Sequence, residues 1–219
     1  PRISTMKVIT FNNPHRQKHF DFFRKMDQPH FNLVANVDIT RFLAYVKGQK
    51  LPFTPYIVYL LSKAANDIPA FRWRIRGEQV VEHATVQPSF TVPTEVSEVF
   101  SFCTVDYDPA APVFIERALA RIERMKTAPD FEDEPGRDDY LFMSAIPWVS
   151  FTGLSDAMHY SPADSVPRIS WGKYFTQEKK VMMPLAVQAH HATVDGRDMG
   201  RYFQKVEELL LNVEQLFGL

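Results

Sequence analysis

The chain has 219 residues, 45% hydrophobic and 23% charged, ordinary for a globular protein and enough for a sizeable core. Lys plus Arg number 25 against 26 Asp plus Glu, so no basic excess argues for a nucleic-acid partner. The lone cysteine, Cys103, excludes an intramolecular disulfide and a multi-Cys zinc site. Every apolar run breaks before about 18 residues, so no transmembrane helix is expected. The N-terminus has no apolar signal core, and a reducing cytoplasm is the expected compartment.

Residues 1–5 read as a leader, with Met6 as the natural start. Asn13-Pro14 is a helix opening, an N-cap followed by proline at the first helical position. Residues 31–39 alternate as a strand, and Thr40 caps a short helix through residue 46. Thr54-Pro55 opens a helix over 56–66, apolar on most faces and so deeply buried. Residues 71–75 and 79–83 flank Arg76-Gly77-Glu78 as a hairpin. Strands are expected at 89–93 and 99–105, and an amphipathic helix at 111–126. The acidic stretch 127–139, with Pro129 and Pro135, reads as an exposed loop.

Residues 140–145 and 148–152 read as short strands around Pro147, and 153–169 as irregular. A short strand is expected at 173–176, an apolar strand at 181–189 and a last helix at about 198–213. With no repeat, linker or low-complexity tract, the reading is one domain over 1–219. Its class is α/β of the two-layer α+β kind, a mixed, largely antiparallel sheet packed by helices.

The stretch Ala189-His190-His191-Ala192-Thr193-Val194-Asp195-Gly196 lies where a strand ends and a helix begins. A histidine there suits a general base, because it titrates near neutrality. Asp195 braces the turn, and Gly196 permits a tight bend or a positive φ. A metal site is disfavoured, because adjacent histidines on a strand point to opposite faces and no third ligand sits nearby.

His190-His191-x-x-x-Asp195-Gly196 resembles the HHxxxDG signature of the chloramphenicol acetyltransferase family, shared by dihydrolipoyl acyltransferases and condensation domains. Three further stretches favour the first of these. Residues 13–20 resemble its N-terminal helix, 144–152 its S-A-x-P-W-V-S-F-T segment, and 172–188 its GKYYTQ and MPLAIQ run. The matches run in order along essentially the whole chain.

The resemblance implies that family's fold, acetyl-CoA as co-substrate, no metal, and O-acetylation of chloramphenicol by direct transfer. It implies His191 as general base and Ser144 as the hydroxyl that stabilises the oxyanion. Asp195 and Arg16 would form a buried ion pair shaping the histidine turn, and Ser170 would support the intermediate. Trp148 and Tyr174 would line the pantetheine arm of CoA, or pack in the core. Phe22, Phe23, Phe31, Phe100 and Phe102 would line the acceptor pocket, with Asp156 and Arg168 near it at positions usually apolar. A homotrimer is implied, its sites between subunits, with the base on one chain and most of the acceptor pocket on the next. Two alternatives stay open: another hydroxyl or amine acceptor, or a non-catalytic relative that sequesters a ligand.

Overall fold

The computed structural model describes residues 5–218. The Pro1–Thr5 leader expectation therefore lies almost wholly outside the described residues. Asn13 caps the first helix as expected, its side chain accepting the amides of His15 and Arg16. That helix is α1 (Pro14–Phe23), which follows a short strand, β1 (Met6–Ile9). β2 (His30–Asp38) leads into α2 (Thr40–Gly48) and α3 (Phe53–Asn66). Ile39, not Thr40, is the N-cap of α2, and α3 opens three residues before Tyr56. A hairpin of β3 (Trp73–Arg76) and β4 (Gln79–His83) follows, then β5 (Gln87–Val92), β6 (Ser101–Thr104) and α4 (Ala111–Thr127). Next come β7 (Tyr140–Ile146), β8 (Arg168–Gly172), β9 (Phe175–Gln177) and β10 (Lys180–His190). The last elements are α5 (Gly196–Leu211) and α6 (Val213–Phe217).

The large sheet has the order β2-β10-β8-β7-β5-β6, with β9 pairing beside β10. Its β5–β7 and β7–β8 pairs are parallel and the others antiparallel. A second sheet of order β1-β4-β3 is wholly antiparallel. The architecture is thus α+β with mixed sheets packed by helices.

Alternation sorts the large sheet's two faces. One face carries Phe90, Met143, Ile169, Leu185 and Val187, all buried in the main core with α3 and α5. α3 is apolar on most faces and buried accordingly, and the Tyr202 hydroxyl donates to the Leu61 carbonyl. The opposite face is polar: Ser144 pairs with Ser170, and Ser170 with Ala186, in one row. The next row runs Phe142, Arg168, Gln188, Asn32.

Two expectations fail locally. Residues 148–152 form no strand: the chain turns at Pro147, and the Lys173 amide reaches back to the Val149 carbonyl. Residues 168 and 169, assigned to an irregular stretch, open β8. Arg168 and Ser170 on its polar face interrupt the apolar run that would have announced a buried strand. Pro184 fits inside β10 because it falls in the gap between the β9 partners (180–182) and the β8 partners (185–188).

Candidate active site

β10 ends at His190 and the chain turns at once. The Thr193 and Val194 amides donate to the His190 carbonyl, and the His191 amide donates to the Pro29 carbonyl at 2.8 Å. The Ala192 amide donates to His190 Nδ1 at 3.2 Å, so that nitrogen carries no proton. Burial, with His30 beside it, pushes the His190 imidazole down to about 4. His190 is therefore neutral and structural.

Asp195 then caps α5. Its carboxylate accepts the amides of Arg197 (2.7 Å) and Asp198 (3.2 Å), and Asp198 accepts the Asp195 amide in return. Burial alone would raise the Asp195 carboxyl, but these amides more than offset it and hold the group below the usual carboxylate range. Gly196 needs no positive φ; it is the first residue of the helix.

The turn aims the His191 ring at α1 and the start of β2. Phe23 stacks on it at 4.0 Å between centroids, Phe31 leans against it at 4.6 Å, and His19 meets it edge-on at 5.4 Å. Its Nδ1 is buried without a partner among the described residues. Nε2 is left as the nitrogen turned outward.

Arg16 does not pair with Asp195. Among the described residues it makes no ion pair, and its guanidinium donates to the Ala192 carbonyl (2.9 Å) and the Thr193 carbonyl (3.3 Å). It also lies 4.3 Å over the Phe11 ring and within 3.1 Å of His19 Nδ1. The expected pair is replaced by a division of labour: Arg16 clamps the turn's carbonyls while Asp195 satisfies the helix's amides. Each group finds strong neighbours of its own, which the fork geometry of arginine favours.

Ser144 is elsewhere. It is half-buried on the polar face, beside the fully buried Ser170, and its hydroxyl bonds to no other group among the described residues. It lines a cavity of about 790 Å³ with Phe100, Phe102, Phe142, Asp156 and Arg168. Arg168 is held by both oxygens of Asp164 at 2.9 and 2.7 Å and lies 5.4 Å over the Phe142 ring. The acidic loop forms part of the wall. Asp138 in it is fixed by two bonds from Arg76 (2.9 and 2.7 Å) and by His83 (2.8 Å).

The expected acceptor pocket is therefore split. Phe100, Phe102, Asp156 and Arg168 line the cavity with Ser144, whereas Phe23 and Phe31 surround His191, which does not line it. Phe22 touches Phe23 edge-on but is 62% exposed. Trp148 (79% exposed) and Tyr174 (40% exposed) are not core residues. Sequence reasoning missed Phe142, which period-2 alternation from Ser144 places on the same face. It also missed Asp164, for which no local signal existed.

Known proteins resemble this chain over nearly its whole length. Residues 5–207 match the family described as "Chloramphenicol acetyltransferase". The chain is 31% identical over 209 residues to a "Chloramphenicol acetyltransferase" of Klebsiella sp., covering 94% of each. A namesake from Escherichia coli is 30% identical over 207 residues, again covering 94% of each. Among solved structures, a chloramphenicol acetyltransferase superposes with TM-score 0.83 at 24% identity, over 94% of this chain and 100% of that one. The dihydrolipoamide acetyltransferase of Azotobacter vinelandii shares the fold at TM-score 0.66 and 16% identity, over 91% and 88% of the two chains. No helix among the described residues is long and apolar enough to cross a membrane. The chain belongs to the chloramphenicol acetyltransferase family, and it is an acyltransferase.

Proposed function

We propose that the enzyme moves an acetyl group from acetyl-CoA to a hydroxyl of a small acceptor, with chloramphenicol the first acceptor to test. His191 takes the hydroxyl proton as the acceptor oxygen bonds to the thioester carbonyl carbon. The carbonyl electrons move onto oxygen, and Ser144 donates a hydrogen bond to the resulting oxyanion. Collapse breaks the carbon–sulfur bond, and the leaving thiolate recovers the proton from His191. Ser170, the direct cross-strand neighbour of Ser144, supports the same intermediate. Transfer is direct. Burial pushes the Cys103 thiol up to about 12, so no thiolate is at hand to form an acyl-enzyme.

Exposed Trp148 and Tyr174 suit the pantetheine arm of the co-substrate, as flat apolar surfaces beside the cavity-bearing strands. His191 and Ser144 lie apart in one chain, so a complete site takes His191 from one copy and Ser144 from its neighbour. A homotrimer is the assembly the family resemblance implies. Exposed Phe22 and Leu33, near the His191 end of the sheet, suit such an interface.

The observation that carries this reading is the fixed His191 ring, packed by Phe23, Phe31 and His19 at the end of a doubly braced turn. Mixing the protein with acetyl-CoA and chloramphenicol, and following free CoA thiol, tests it. Thiol release that requires both the acceptor and His191 is expected. Release undiminished in His191→Ala removes the assignment of the base. A second reading, the same chemistry on another acceptor, is favoured by the charged side chains in the cavity.

A further inference from the structure

The cavity beside Ser144 has aromatic walls and an unbalanced charge. Of its two arginines, Arg168 is committed to Asp164, and Arg137 to Asp139 at 2.6 Å and Glu134 at 3.0 Å. Asp138 is likewise committed, to Arg76 and His83. Asp133 and Asp156 are different: neither forms an ion pair among the described residues. Of the two, Asp156 lies near Ser170 and Arg168, which act on its carboxyl without a formed hydrogen bond or ion pair. Ser170 is in turn the direct cross-strand partner of Ser144. A carboxylate therefore stands one side chain away from the hydroxyl assigned to the oxyanion, in a cavity whose cations are already neutralised.

Burial pushes the Asp156 carboxyl up, and the nearby charge of Arg168 does not offset this. A half-buried carboxylate without an ion-pair partner is costly, and a ligand cation removes that cost. Phe100 and Phe102 line the same cavity, and aromatic rings accept both an aryl group and a cation. A wholly neutral acceptor would leave the Asp156 charge uncompensated.

We propose that Asp156 is a specificity-determining residue that selects an acceptor carrying a protonated amine alongside its reactive hydroxyl and an aryl group. This rests on the acetyl-transfer reading for the reaction, but the binding preference is measurable without turnover. The amine is not the nucleophile; protonated, it has no free pair, and it serves as the counter-ion of Asp156.

The test uses a matched pair of probes: 2-amino-1-(4-nitrophenyl)propane-1,3-diol and its neutral N-acetyl derivative. Both keep the aryl group and both hydroxyls. Dissociation constants are measured by calorimetry, without acetyl-CoA, on the wild type and on Asp156→Asn. The amine is expected to bind the wild type at least ~10-fold tighter than the amide, about 1.4 kcal/mol, and to lose most of that advantage in the variant. Equal or weaker binding of the amine by the wild type, or binding of neither probe, overturns the proposal. So does an amine advantage that survives in Asp156→Asn, the result expected if the carboxylate only shapes its own loop. Thiol release with acetyl-CoA is followed on the same samples. An amine preference without any release counts against the acetyl-transfer reading and leaves the selectivity standing.

Discussion

Ser144 lies two strands across the sheet from His190 and four residues down it, because Ser144 pairs with Ser170 and Ser170 with Ala186. At strand spacings of about 4.8 Å and rises of about 3.3 Å, that is a separation of roughly 16 Å. His191, one residue further, turns its ring toward Phe31 on the other face. No side-chain rotation bridges that gap within one chain.

Subunit mixing follows from this separation. His191→Ala and Ser144→Ala proteins are each expected to be nearly inactive, the second by ~10²–10³ in kcat. Unfolded together and refolded as a mixture, they are expected to regain activity, because roughly a quarter of head-to-tail interfaces then pair an intact His191 with an intact Ser144. CoA thiol release measures it. A refolded mixture no more active than its components would place both residues in one chain's site.

Arg16→Ala removes the two bonds to the turn carbonyls of Ala192 and Thr193. A hydrogen bond from a charged donor is worth about 1.5–3 kcal/mol, and a loss of at least that order is expected in urea denaturation. Arg16→Lys should recover only part of it, since one ammonium does not span two carbonyls as the planar fork does. kcat is expected to fall in both variants, because the clamp holds the His191 turn.

Acid should weaken the fold through His190. Its imidazole is neutral when folded and pushed down to about 4, from an ordinary value of 6.5. Between those limits the unfolded chain binds a proton that the folded chain does not. Stability is therefore complete above about pH 6.5 and lost progressively toward pH 4, by about 3 kcal/mol in all. Urea midpoints across that range measure the slope. His190→Gln is expected to flatten it, and an unchanged slope would assign the effect to other groups.

Gly172 is a site of close approach. A Cβ there would stand 2.7 Å from the Val149 carbonyl oxygen and 2.9 Å from the Phe151 ring. The carbonyl belongs to backbone that already accepts the Lys173 amide, so it has little room to move. Gly172→Ala is expected to destabilise by about 1–3 kcal/mol, as overpacking does. It should also raise the KM for acetyl-CoA, by shifting the segment that carries Trp148. Thermal melts and initial rates check the two effects; an unshifted KM would separate Trp148 from the co-substrate.

Much of this protein was legible along the chain. Local signals decided α1, where Asn13 and Pro14 sit at the positions that satisfy free amides. They decided β10 and the turn after it, where an apolar run meets His190, His191 and the capping Asp195. The HHxxxDG spacing singles out His191, the base proposed above, because the histidine and the turn that holds it are built from one short segment. What needed the tertiary structure is what depends on partners far apart in sequence. β8 emerged only from its pairing with β7 and β10, since its polar face hides the periodicity. Arg16 clamps carbonyls 176 and 177 residues away rather than pairing with Asp195. Asp164 neutralises Arg168 and leaves Asp156 without an ion-pair partner, a balance set by which side chains the loop brings within reach. Sequence periodicity records which face a residue takes. It does not record which charges meet there, because Coulomb and hydrogen-bond energies depend on distances of a few ångströms that only the folded chain fixes.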